Sequence, residues 1–246
     1  MKPILFNTEM VKAILDGKKY VTRRSIKYKY GNTHHKIKTD KYGTRLIEIH
    51  NDIEGETYGK NEDGSTWHRL LGYIEPKPQY KVGDILYVRE TYAKIEDFIN
   101  YGDMEIDVDL KYLFKCDDNG KEHAFIDVGV KKWHPSIHMQ KEASRIFLKI
   151  TDVRWEKLQD ISCCQAEMEG VSSTVYWTPK EMDNKPFEEK WWDDYHFWTR
   201  YPQIAFSRLW DSTVSKSDIT KYGWEANPWV WVIEFKPISK EEALQS

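Results

Sequence analysis

The stretch NPWVWVIEFKPI, residues 227–238, limits the possible folds more than any other part of the chain. From Trp229 to Phe235 it is apolar on both faces of an extended strand, and such a strand needs a sheet covered on both sides. Two other segments supply neighbours for it. YKVGDILYVRETY reads as a turn over Lys81 to Asp84 followed by a strand, with Leu86, Val88 and Glu90 on one face and Ile85, Tyr87, Arg89 and Thr91 on the other. Either Arg89 or Glu90 must therefore point inward. ASRIFLKITDVRWEKL reads as a long strand in which Ile146, Leu148 and Ile150 alternate with Phe147 and Lys149.

Helices are expected at three places. In NTEMVKAILDGKK, Asn7 or Thr8 caps a helix whose apolar stripe is Val11, Ile14 and Leu15, and Gly17 stops it. DISCCQAEMEG reads as a short helix capped by Asp160 or Ser162, stopped by Gly170 and carrying Glu167 and Glu169. PQIAFSRLWDSTV places Phe206, Leu209, Trp210 and Thr213 at helical spacing. Residues 27–80, 96–132 and 172–200 are loosely patterned and read as insertions into a single domain spanning 1–246. In the first insertion RLIEIH and HRLLGYIE are the plausible strands, and the last is dense in aromatic residues. Ser239 to Ser246 reads as a polar tail.

A hydrophobic content of 40% with eleven tryptophans among 246 residues excludes wholesale disorder. The net charge of −3 argues against a general polyanion binder, because nonspecific nucleic-acid affinity comes from neutralised phosphates. Residues 1–50, however, hold twelve Lys and Arg against four Asp and Glu, a basic end on an acidic body. Such an end can steer a phosphorylated or nucleic-acid ligand, RNA or DNA, to one place. The three cysteines lack metal-ligand spacing and suit a reducing cytoplasm. His134 and His138 are four residues apart, but Pro135 and the lack of a third ligand leave no zinc set, so neither metal nor cofactor is expected. No apolar run reaches the roughly 18 residues of a membrane span, so no membrane partner is expected.

DGKKYVTRRSI, residues 16–26, concentrates two lysines, a threonine and two arginines directly after a helix stop. A solvated turn has this composition, and so has an active-site loop. Lys19 and Thr22 cannot share a face of one straight strand, so Lys19 must belong to the turn after Gly17 or a bulge must intervene. Thr22 and Arg24 can share a face without help.

Four segments in order, GKKYVTRR, YKVGDILYVRETY, ITDVRWEKLQDIS with AEMEG, and YGWEANPWVWVIEFK, resemble the ASCH domain of the PUA-like superfamily, more closely the larger members found in bacteriophages and prophages. The resemblance implies an α+β, mainly β fold: a PUA-like antiparallel β-barrel with flanking helices and a cleft at its mouth. One branch of that superfamily consists of small amidohydrolases that remove the acetyl group from N4-acetylcytidine. Their K-x-x-T-x-R pattern falls here on Lys19, Thr22 and Arg24, and their helix glutamate falls on Glu169. The resemblance thus implies Lys19, Thr22 and Glu169 as catalytic residues and a nucleoside or modified nucleobase as ligand; Arg23 and Arg24 are substrate-binding candidates, and Arg89 and Glu90 either form a structural ion pair across the barrel or line the cleft as further substrate-binding candidates. Other members are linked to RNA binding or RNA cleavage, so two alternatives stand beside the amidohydrolase: a binding module for RNA or modified nucleic acid, and a ribonuclease. Either way the expected location is the cytoplasm, that of a bacterial host if the chain is phage-encoded.

Deacylation of an exocyclic amine needs a nucleophile, a base, an acid for the leaving amine and donors for the oxyanion. Thr22 serves as nucleophile only if a neighbour takes its proton. Arg23 and Arg24 would lower the pKa of Lys19 toward that task, and an adjacent Glu169 would raise it. Thr22 with proton transfer shared by a Lys19–Glu169 pair is the resulting expectation.

Overall fold

The computed structural model of the protein describes residues 1–29, 33–41, 43–50, 57–60, 66–69, 75–94, 98–100, 111–117, 128–171 and 202–245. The aromatic-dense stretch 172–200 and most of 96–132 lie outside these residues.

Thirteen strands are described: β1 (Lys2–Leu5), β2 (Val21–Ser25), β3 (Thr33–Asp40), β4 (Gly43–His50), β5 (Thr57–Lys60), β6 (Thr66–Arg69), β7 (Ile85–Arg89), β8 (Tyr92–Lys94), β9 (Phe98–Asn100), β10 (Tyr112–Phe114), β11 (Val128–Val130), β12 (Phe147–Lys157) and β13 (Trp229–Ile238). The helices are α1 (Thr8–Leu15), α2 (Cys163–Met168), α3 (Pro202–Thr213), α4 (Ile219–Tyr222) and α5 (Lys240–Leu244). The architecture is mixed α and β, with strands dominating.

A five-stranded sheet in the order β1-β7-β12-β13-β2 carries the fold. Only β1 and β7 run parallel, and the other three pairings are antiparallel. The sheet is open among the described residues, with β1 and β2 as its edges. One side chain spans them, since the Arg24 guanidinium on β2 donates to the Leu5 carbonyl at the end of β1 at 2.7 Å.

The doubly apolar pattern of β13 has the expected consequence. Ile233 and Phe235 join a core with Ile4, Val11, Leu86, Val88 and Leu148. Val230 and Val232 join a second core with Val21, Leu158, Ala166, Phe206 and Trp210. In β7, Leu86 and Val88 enter the first core, whereas Ile85 and Tyr87 pack with Phe147 and Ala243 of α5. The β12–β13 register slips by one residue between Ile150 and Asp152, a bulge that bends the long strand.

Several elements go beyond the sequence expectation. Lys2–Leu5 carries no strand pattern of its own, yet it pairs with β7. Thr33–Asp40 pairs with β4 as a hairpin, a strand that accompanies the expected RLIEIH. The supposed polar tail contains α5, whose Ser239 side chain accepts from the Glu242 amide at 3.1 Å and whose Ala243 is buried. In the first insertion β5 and β6 form a second hairpin; most of HRLLGYIE beyond Arg69 lies outside the described residues. No described helix is long and apolar enough to cross a membrane.

Candidate functional site

The capping chemistry of α1 sets the position of Lys19. Asn7 caps its start by accepting from the Met10 amide at 2.8 Å. At its end Gly17 takes φ +64°, a left-handed conformation suited to glycine, and the Lys18 and Lys19 amides both donate to the Ala13 carbonyl. Lys19 therefore lies in the turn before β2, as the strand-periodicity argument requires. It forms an isolated antiparallel bridge with Glu169, supported by the Tyr20 amide donating to the Met168 carbonyl at 2.9 Å.

Glu169 is delivered from the other side of the sheet by α2. Ser162 caps that helix in a capping box with Gln165, and Glu169 ends it. The next residue, Gly170, has φ +86°, and a Cβ built there would stand 2.7 Å from the Ala13 Cβ and 3.3 Å from the Lys19 Cβ. Only a glycine lets α2 come this close to α1 and the Lys19 turn.

The two elements meet in a buried ion pair. Lys19 is fully buried and donates to Glu169 Oε2 at 2.6 Å and to the Glu169 carbonyl at 2.8 Å. A carboxylate at a helix C-terminus is electrostatically misplaced, and the Lys19 ammonium answers both the side chain and the helix-end carbonyl. Burial lowers the Lys19 pKa below the usual lysine value, and the Glu169 carboxylate opposes that shift.

Arg23 closes the arrangement. It donates to Glu169 Oε1 at 3.2 Å, to Gln165 Oε1 at 3.1 Å and to Glu156 Oε2 at 3.3 Å. Both carboxylate oxygens of Glu169 are thus held by cations. The Arg23 Nε is buried without an acceptor among the described residues. Gln165 and Glu156 were not singled out from the sequence. The S-x-x-Q capping box was the available sign for Gln165, which also accepts from the Ser162 amide at 3.0 Å.

Thr22, Arg23, Arg24 and Glu169 line a cavity of about 230 Å³ beside the edge strand β2, together with Phe6 and with Phe206 and Trp210 of α3. Thr22 is buried, and its hydroxyl makes no hydrogen bond among the described residues. Lys19 stands behind Glu169 and does not line the cavity. The Arg24 guanidinium lies 5.4 Å from the Phe6 ring centre, and its burial pulls it down from the usual arginine value. Of the three residues expected to be catalytic, the fold brings Lys19 and Glu169 into direct contact, and Thr22 lines the same cavity as Glu169.

Arg89 and Glu90 are placed elsewhere. Neither lines this cavity. Glu90 is the one that points inward, where it accepts from Arg145 through both oxygens at 3.0 and 3.1 Å and from the Cys116 thiol at 3.1 Å. Burial, with Glu90 adding to it, pushes the Cys116 thiol well above its usual value and keeps it protonated. Arg89 donates to the Ile137 carbonyl and the Tyr87 hydroxyl, so its neighbour Glu90 is not its ion-pair partner. His134 stacks on Tyr92 at 5.3 Å, and no group of three metal-capable side chains occurs among the described residues.

Compared with protein-family models, curated proteins and solved structures, the chain matches none.

Proposed function

We propose that the cavity beside β2 is the active site of an amidohydrolase that deacylates an N-acylated nucleobase or nucleoside, of the N4-acetylcytidine kind, on a PUA-like ASCH scaffold. The observation that carries this reading is one cavity lined both by Thr22, whose hydroxyl has no hydrogen bond among the described residues, and by a glutamate that a fully buried lysine holds at 2.6 Å. A buried lysine paired to one carboxylate is costly to retain for stability alone, since burying a charge is expensive even when paired. Its use here is to hold Glu169 still and to exchange a proton with it.

In the proposed reaction the Thr22 oxygen attacks the acyl carbon while its proton passes to Glu169, directly or through one water, a contact that tightens when substrate fills the cavity. Arg23 and Arg24 on the same wall stabilise the oxyanion by their positive field. Collapse breaks the C–N bond, and the leaving amine takes the proton from Glu169. Water then hydrolyses the acyl-threonine ester with Glu169 as base, and the Lys19 ammonium, lowered by burial, relays protons along the pair. A nucleoside-processing role fits a cytoplasmic protein.

The second reading is a module that binds RNA or modified nucleic acid without turnover. It is favoured by one fact: both Glu169 oxygens are already occupied by cations, with none bonded to Thr22. The readings separate on N4-acetylcytidine. The enzyme releases cytidine and acetate and loses this with Thr22→Ala and with Glu169→Gln. A wild-type protein inert toward a panel of acylated nucleosides, yet retaining one of them on binding, selects the module.

A further inference from the structure

Several buried or partly buried cations of this sheet are matched by carboxylates. Arg154 has Asp152, Glu156 and Glu234 within 2.6 Å. Arg145 has Glu90 and Asp117, Arg23 has Glu169 and Glu156, and Lys19 has Glu169. Arg24, like Arg89 and Lys157, has no carboxylate within ion-pair distance among the described residues: its hydrogen bond goes to the neutral Leu5 carbonyl. The two arginines with the fullest sets of carboxylates, Arg145 and Arg154, are raised above the usual value, whereas Arg24 is lowered by burial. Arg24 is half-buried, and the carboxylate whose charge acts on it, Glu169, already has both oxygens on Lys19 and Arg23, so its guanidinium can accept an anion from outside.

Its position says where that anion sits. Arg24 lines the first cavity and also a second, of about 650 Å³, on its other side. Lys27, Lys29 and Lys77 surround the second cavity, and Tyr80 and Trp231 form an aromatic wall. Its two carboxylates are engaged by the protein: Glu75 pairs with Arg45, and Glu48 accepts from the Lys29 amide at 2.8 Å. Lys27 is held loosely, 3.5 Å from Asp218 and stacked on Tyr222.

We infer that the second cavity is a phosphate subsite, in which Arg24 and the surrounding lysines bind a phosphate ester carried by the ligand whose base occupies the first cavity. This rests on the reading of the first cavity as a nucleobase site, and it makes the substrate a nucleotide rather than a free nucleoside. A guanidinium with unused N–H groups suits phosphate oxygens, and the lysines add diffuse positive potential. The volume exceeds a single phosphate and leaves room for further linked groups. The phosphate thus belongs either to a free nucleotide or to the backbone of a single strand.

The test is titration calorimetry with cytidine, cytidine 5′-monophosphate and a cytidine trinucleotide, at low and at high salt. The nucleotide is expected to bind at least tenfold more tightly than the nucleoside, about 1.4 kcal/mol, with the advantage shrinking at high salt. That advantage falls toward unity in Arg24→Gln, and it also falls in Lys77→Glu, an exposed position where folding is not at risk. A trinucleotide tighter than the mononucleotide identifies the strand as the source, and equal affinities identify the free nucleotide. Equal affinity for nucleoside and nucleotide, an advantage untouched by both substitutions, or no binding of any phosphate-bearing compound overturns the inference. Binding is read without turnover, so loss of deacylation with an intact Arg24-dependent advantage rejects the enzyme and keeps the subsite. Deacylation indifferent to phosphate does the reverse.

Discussion

Replacing Gly170 with alanine tests how the Lys19–Glu169 contact is built. The residue has φ +86°, where an L side chain costs about 1–2 kcal/mol. The new methyl would also stand 2.7 Å from the Ala13 Cβ and 3.3 Å from the Lys19 Cβ, and overpacking of this kind costs roughly 1–3 kcal/mol. Gly170→Ala should therefore lower unfolding free energy by about 2–5 kcal/mol in urea titrations. The conformational and steric parts separate in a double-mutant cycle with Ala13→Gly. Alone, Ala13→Gly costs about 1 kcal/mol as a helix-interior glycine. Combined, it removes the methyl that blocks the new one, so the double variant should be about 1–3 kcal/mol more stable than the sum of the single effects. Strict additivity would refute the close approach of the two elements, and a Gly170→Ala loss below about 1 kcal/mol would refute the backbone argument as well.

Glu169→Gln leaves Lys19 and Arg23 buried with a neutral partner and should destabilise the fold by about 3–5 kcal/mol near neutral pH. The sign of its pH dependence follows from Lys19. With the folded-state pKa below the ordinary 10.5, the unfolded chain binds more protons between those two values, so stability rises with pH across that window. Glu169 holds the Lys19 pKa up, so Glu169→Gln lowers it further and gains stability from a lower pH than wild type; the deficit should shrink as pH rises toward 10.5, and a deficit that grows would contradict the assignment. Arg145→Met strips the partner from buried Glu90 and should cost about 3–5 kcal/mol by thermal or urea unfolding, whereas a loss under about 1 kcal/mol would show Glu90 to be hydrated.

The elements most legible in the sequence are those whose pattern is local. β13 reveals its two buried faces by being apolar at consecutive positions, β7 and β12 alternate, and α1 and α2 carry capping residues and stop glycines at their ends. What was not legible depends on distant partners. Lys2–Leu5 is too short to declare itself, and it becomes a strand because β7, some eighty residues on, offers an edge. α5 is polar except for Leu244 and the single Ala243 that it buries, so periodicity could not find it, although its Ser-x-x-Glu start was present. At the site, the K-x-x-T-x-R spacing and the glutamate after α2 pointed to the residues that the fold gathers. That Glu90 turns inward to Arg145 and that neither Arg89 nor Glu90 lines this cavity could not be read locally, because Arg145 lies fifty-five residues from Glu90. That Arg24 bonds the Leu5 carbonyl and no carboxylate among the described residues was equally invisible, since it depends on the distant partners that claim those carboxylates.

The most direct measurement of the central claim is deacylation of N4-acetylcytidine, and of its 5′-monophosphate, by wild type and Thr22→Ala, with intact-mass detection of an acylated protein. The account predicts cytidine release by wild type, an acyl adduct localised to Thr22, and loss of both in Thr22→Ala with the fold retained. Turnover that persists in Thr22→Ala, or its absence from wild type on both substrates, would contradict it.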